Sequence, residues 1–224
     1  LNRSVETAQR RVEQQHFAVR KRTLEFDDVM NKQRSVVYGL RGQILAGDAK
    51  TVHNLILDVM NDILMTKAEQ CLFDEKGSLV EEFIAWAEMT FPVSLKREDI
   101  TPYLGKPELA GEMVMKLVEE AYEAKCASED QEVLPFMERG VFLQVIDREW
   151  QEFLRAMDDL RTGVNLRSYG QRDPLVEYKK EAFGMFETLM NTIKTKVVSM
   201  EFRSATASRL QAAMQRMAAV RPAA

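Results

Sequence analysis

Histidine and cysteine are scarce in this chain, with two of each among 224 residues. His16 and His53 cannot build a metal centre from several imidazoles, and neither lies near a cysteine in sequence, so no metal ligands are expected. Cys71 and Cys126 stand far apart without a CxxC partner and read as two free thiols in a reducing compartment, a lone disulfide being the alternative. A phosphate-cradling GxxxxGK[ST] loop is missing, since Gly105-Lys106 runs into Pro107 without the earlier glycine. GxGxxG, GxSxG and HExxH are absent too, which leaves no recognisable nucleotide, hydrolase or metalloprotease chemistry. No apolar run approaches the roughly 18 residues of a membrane span. The first residue is Leu1, and a basic segment followed by an apolar core is lacking. The chain therefore reads as part of something longer, without a signal peptide.

The first 38 residues contain neither glycine nor proline. As one helix they would extend about 57 Å at roughly 1.5 Å per residue. Val5, Val12, Val19 and Phe26 recur every seven residues, and Met30, Val37 and Ile44 resume the spacing after a four-residue step, with Ala8 and Leu40 filling in. Such a stripe is a seam for partner helices. Gly39, Gly42 and Gly47 are expected to break this helix into a loop, with Thr51 capping the next one over an apolar face of Val52, Leu55, Ile56, Val59 and Ile63. Asp74–Gly77 reads as a turn, and Ser78 with Glu81 as a capping box opening a short helix that Phe91-Pro92 ends. Pro92, Pro102 and Pro107 mark an irregular connection. A helix over Glu108–Lys125 follows, with Met113, Leu117 and Tyr122 as candidate core. No period-2 run suggests a strand.

From Met137 onward, Leu143, Ile146, Trp150, Phe153, Met157, Leu160 and Val164 alternate spacings of three and four. Val176, Phe183, Phe186, Met190, Ile193, Val197 and Met200 resume the rhythm after a loop, which predicts an antiparallel hairpin. Asp173 is placed to cap the second helix, with Pro174 at its first position. The tail from Glu201 carries Leu210, Met214 and Met217 at helical spacing and reads either as a final helix or as a frayed end. The expected organisation is all-α: a long helix over 1–47, a helical domain over 48–135, a two-helix finger over 136–200 and a terminal helix or linker over 201–224.

Charge is segregated. Residues 48–138 hold 8 basic and 20 acidic side chains, and the flanks are mildly positive. An acidic middle makes nucleic acid an unsuitable partner, because phosphate contacts need clustered Lys and Arg. Asp27-Asp28 and Asp158-Asp159 are neighbouring carboxylates that point about 100° apart on a helix, which suits an ion-paired face rather than acid–base work. The hairpin loop places Tyr169 between Arg167 and Arg172, beside Gly170 and Gln171. An aromatic with adaptable polar neighbours can grip an extended polypeptide without demanding one sequence; a loop whose tyrosine packs down is the plainer reading.

Two blocks of residues resemble a known family. The first is Ala8-Gln9-Arg10-Arg11-Val12-Glu13, Phe17, Arg20-Lys21, Leu24 through Asn31, Gln33-Arg34 and Val37-Tyr38. The second is Asp147, Trp150, Leu154, Ala156-Met157-Asp158, Leu160-Arg161, Gly163, Leu166-Arg167, Tyr169, Gln171, Asp173-Pro174, Glu177-Tyr178-Lys179 and Phe183. They resemble the helical scaffold and two-helix finger of SecA, the ATP-driven motor of bacterial protein export, and the acidic middle suits that family's helical wing by position. His16, Phe26 and Ser168 stand where the family usually has Asn, Tyr and Gly. The resemblance implies a scaffold helix that relays the motion of nucleotide-binding domains, with Arg20, Asp27, Asp28 and Arg34 as interdomain contacts. It also implies a finger that brings Tyr169 to an unfolded preprotein at the SecYEG channel, in the cytoplasm and peripheral to the membrane. The nucleotide-binding and preprotein-crosslinking domains are not among these residues, so ATP and Mg would serve a parent protein and no cofactor is expected here. Without those domains the exposed seam should favour self-association. The rival reading is a free-standing coiled-coil scaffold or adaptor; an unidentified metal or nucleotide enzyme is remote.

Overall fold

The computed structural model describes residues 2–167 and 173–211, and nearly all of them are helical. In chain order the helices are α1 (Asn2–Ala46), α2 (Ala49–Leu72), α3 (Val80–Thr90), α4 (Arg97–Ile100) with a 3-10 turn at Thr101–Tyr103, α5 (Pro107–Ala127), α6 (Leu134–Arg167) and α7 (Pro174–Arg203). Among the described residues there is no strand, and no helix is long and apolar enough to cross a membrane. The residues fall into two compact units. One joins Leu1–Gly42 with Arg148–Met190, and the other joins Gln43–Asp147 with Asn191–Ala224.

In the first unit α1 is longer than expected. It runs through Gly39 and Gly42 and stops at Ala46, a length of 45 residues, or about 68 Å at roughly 1.5 Å per residue. A glycine costs an interior helix only about 1 kcal/mol, too little to end one whose neighbouring Val37 is buried. Four contacts set the directions of the helices. Arg161 on α6 pairs with Asp27 at 3.1 Å, and Tyr38 meets Trp150 edge-on at 6.3 Å, so α6 runs antiparallel to α1. Phe26 packs on Tyr178 at 4.7 Å and Gln33 Nε2 donates to Ala182 O at 3.0 Å, so α7 runs parallel to α1. The α6–α7 pair is therefore the expected antiparallel hairpin, with Phe153 against Phe186 at 5.9 Å. Asp173 caps α7 as expected, its Oδ1 accepting from Leu175 N at 2.9 Å.

The α6 stripe holds from Trp150 to Val164. The α7 stripe is rotated in its first half, where Val176 and Phe183 are exposed and Tyr178, Ala182 and Leu189 are buried instead, whereas Ile193 and Val197 are buried as expected. The face that meets α1 takes the smaller Ala182, because Gln33 approaches the α7 backbone there. Every side chain of α1 from residue 3 to 24 is exposed, including Val5, Val12, Phe17, Val19 and Leu24.

In the second unit α2 and α5 pack antiparallel, His53 beside Tyr122 and Met65 beside Gly111. A Cβ at Gly111 would run into Met65 Sδ, so the absent side chain permits the close approach. Each helix presents an i, i+4 row to the other: Val52, Ile56, Met60, Leu64, Ala68 and Leu72 face Ala110, Val114, Val118, Tyr122 and Cys126. Interdigitating i±4 ridges are the commonest helix packing. The expected Leu117 is exposed and Met113 only half-buried, as are Val59 and Ile63, because the ridge lies one position away.

Two expected caps are also displaced. Asp48, not Thr51, caps α2, its Oδ1 accepting from Thr51 N at 2.8 Å. Ser78 Oγ bonds Asp74 Oδ2 at 2.7 Å, and α3 begins at Val80 without a side-chain cap. The turn at Asp74–Gly77 is present, with Gly77 at φ +66°, a conformation that favours glycine. Phe91 ends α3, and α7 finishes with Phe202 wedged against Phe91 and Tyr122. The tail is anchored as far as residue 211: Glu129 accepts from Thr206 N and Oγ1, both at 2.8 Å, and pairs with Arg209.

Candidate functional site

The residues singled out from sequence lie in the first unit. Tyr169, Gly170, Gln171 and Arg172 fall outside the described residues, and Arg167 is the last residue of α6. What is described is the lever that carries them, a hairpin whose α6 and α7 both rest on α1. Burying Phe26 and Tyr178 on each other supplies the apolar part of that seat, and tilted aromatic pairs contribute about 0.5–1.5 kcal/mol beyond area alone. Phe26 fills its position entirely by packing, at 5% exposure.

The charged residues of α1 do not converge. Asp27 is paired to Arg161 of α6, and Asp28 to Lys32 one turn along the same helix at 3.1 Å. The Asp27-Asp28 pair is thus ion-paired, as the geometry of adjacent helical carboxylates requires. Arg20 and Arg34 are exposed, and so is His16. Exposed pairs of this kind contribute about 0–1 kcal/mol each.

A second constellation, in the second unit, has no counterpart in the sequence reading. His53 on α2 lies between two carboxylates, with Nδ1 2.8 Å from Glu138 Oε1 and Nε2 2.9 Å from Glu123 Oε1. Both ring nitrogens face acceptors, so both donate. These hydrogen bonds, Glu138 foremost, push the imidazole up to about 9 despite partial burial. Tyr122 Oη donates to the same Glu138 oxygen at 2.8 Å, and Cys126 Sγ lies 3.9 Å from it. Burial pushes the Cys126 thiol up to about 12, with Glu138 adding to the effect.

Glu201, from the end of α7, is wholly buried, and neither of its oxygens has a hydrogen-bond partner. Desolvation raises it to about 8, the Lys125 ammonium opposing and Glu138 reinforcing the shift. Both cysteines are free and buried, in line with the expectation of two thiols. Some seventy residues or more separate His53 from its partners on α5 and α6, so only the antiparallel packing of α2 and α5 brings them together.

The described residues define an all-helical protein of two units, one in which a long helix seats a two-helix hairpin and one with its own helical core. Residues 1–205 match the family described as the SecA Wing and Scaffold domain, and the chain belongs to that family. It is 38% identical over 206 residues to the protein translocase subunit SecA of Chlorobaculum tepidum, a match covering 91% of this chain and 19% of that protein. It is 34% identical to the corresponding subunit of Heliobacterium modesticaldum, over 91% of this chain and 24% of that protein. For Acidothermus cellulolyticus the identity is 37%, over 90% of this chain and 21% of the relative. The chain thus spans 19–24% of the length of these relatives.

Proposed function

We propose that this chain is the scaffold, wing and finger portion of a SecA-like protein translocase motor. It would couple the motion of nucleotide-binding domains elsewhere in the parent to the movement of unfolded preprotein through a SecYEG-type channel. The observation that carries this reading is the family match over residues 1–205, which takes in both motif blocks in their proper order. The same match favours it over a free-standing adaptor. The braced hairpin supports it physically: a grip on a moving chain transmits force only if its base is rigid, and α6 and α7 are both packed on α1.

In this reading Tyr169 is the polypeptide-contacting residue, with Arg167, Gly170, Gln171 and Arg172 around it. Arg20 and Arg34, exposed on α1, are contacts for the motor domains, while Asp27 and Asp28 hold the scaffold's own charge pairs. ATP and Mg are used by the parent and not by these residues, and the machine works on the cytoplasmic side, peripheral to the membrane.

A photocrosslinking side chain at position 169 of the parent protein tests this, with the exposed α7 position Phe183 as control. Crosslinks to an arrested preprotein from 169 and few from 183 are expected. Equal labelling from both positions, or none from 169, would contradict the finger assignment.

A further inference from the structure

The geometry points to a transition-metal site in the second unit, of the zinc class. Its ligands are His53 Nδ1, Cys126 Sγ and a Glu138 oxygen, with the buried Glu201 coupled electrostatically to them and Glu123 orienting the imidazole. Ligand atoms of His53, Cys126 and Glu138 all lie within 4.8 Å of one another. Ligands of a tetrahedral zinc sit roughly 3.3–3.8 Å apart for bonds of about 2.0–2.3 Å, so side-chain adjustment of an ångström or less closes the site. A nitrogen, sulfur and carboxylate donor set suits zinc or cobalt and not magnesium or calcium, which take oxygen ligands.

Independent observations favour a ligand here over a closed hydrogen-bond network. Glu201 is completely buried with both oxygens unpartnered, and it interacts electrostatically with Glu138 and His53. Burying a carboxylate without partners is costly, and a cation removes that cost. The supporting contacts are those a metal site requires. A ligating imidazole characteristically donates its other N–H to a carboxylate, and Glu123 stands 2.9 Å from His53 Nε2. A ligating carboxylate is itself hydrogen-bonded, as Glu138 is by Tyr122. His53 is half-buried and Glu123 exposed, which leaves an entry path from solvent.

Binding exchanges protons for the cation. His53 releases the proton on Nδ1 and keeps Nε2–H on Glu123, and Cys126 releases its thiol proton. Lys125, buried at its amine, offsets only part of the cost of burying Glu201, whose carboxyl is still raised. Affinity should therefore fall steeply as pH falls.

Titration of the intact 224-residue chain with Co2+ tests the site, because a cobalt–thiolate bond gives a charge-transfer absorption that carboxylate or imidazole ligation alone does not. One equivalent is expected to bind with that band, displaced by Zn2+. The band should persist in Cys71→Ser and vanish in Cys126→Ser. Glu123→Gln should weaken binding about 10–100-fold without removing the band. Should Cys126→Ser fail to fold, His53→Gln, altered at the half-exposed rim, replaces it, and the band should be lost there as well. Absence of the band in the parent chain, or its survival in a folded Cys126→Ser or His53→Gln variant, would overturn the site.

Discussion

The two units hold themselves together by different means. In the first, three long helices meet through aromatic and aliphatic contacts, the Gln33–Ala182 hydrogen bond and the Asp27–Arg161 pair, with Glu149 as the buried acid among its described residues and every side chain of α1 from residue 3 to 24 exposed. The second encloses two i±4 apolar ridges and, beside them, buried acids at Glu129, Glu138 and Glu201. Apolar contacts are indifferent to pH, whereas buried ionisable groups tie stability to it. With three buried acids against one, the second unit ties more of its stability to pH, and the first is distinguished by its exposed seam.

The largest effect expected from breaking that contrast is in the lever's seat. Phe26→Ala should destabilise the first unit by about 3–5 kcal/mol, the usual cost of emptying a buried aromatic site. Hydrogen exchange resolved by segment should show α6 and the first half of α7 losing protection. Unchanged protection there would mean that the hairpin does not depend on α1.

A smaller effect, confined to the second unit, is expected from Glu129. Burial pushes its carboxyl up, but the Thr206 hydrogen bonds and Arg209 outweigh this and hold it below the usual carboxylate range. A depressed acid stabilises above its unfolded value and loses that contribution as pH falls through the folded one. Glu129→Gln should cost about 1–3 kcal/mol at neutral pH and flatten the acid limb of the stability profile. Urea melts across pH 3–7 (roughly the carboxylate range) check this; an unaltered limb would show that Glu129 is not what ties the tail down.

Asp27→Asn should change stability by no more than about 1 kcal/mol, since its pair with Arg161 is half exposed. A much larger loss would make this pair a real determinant of hairpin docking. Least of all, Val12→Ser with Val19→Ser should leave the melting curve within about 0.5 kcal/mol of the parent while lowering self-association and dye binding, read by light scattering and fluorescence. A strictly monomeric parent chain at high concentration, without dye binding, would contradict the unsatisfied seam.

What the sequence makes legible follows from the kind of packing. The α6 stripe from Trp150 to Val164 is readable because large apolar residues recur on one face and every one is buried. Asp173-Pro174 is readable because an N-cap followed by proline is a purely local signal. The end of α1 is not: Gly39 and Gly42 look like breakers, and only the burial of Val37 and Ile44 on either side keeps the helix going. Nor is the α5 face, where close approach at Gly111 selects small residues and shifts the ridge from Leu117 to Val118. In α7 the bulk of Phe183 misleads, because the contact with Gln33 falls at Ala182. The cluster around His53 is least visible of all, since its members come from α2, α5, α6 and α7 and share no local spacing.

The finger assignment is tested most directly by Tyr169→Ala in the full-length motor, with preprotein transport and ATP hydrolysis measured separately. The lever reading predicts that transport falls sharply while nucleotide hydrolysis persists, because the grip is lost and the motor is not. Transport at the parent rate would contradict it.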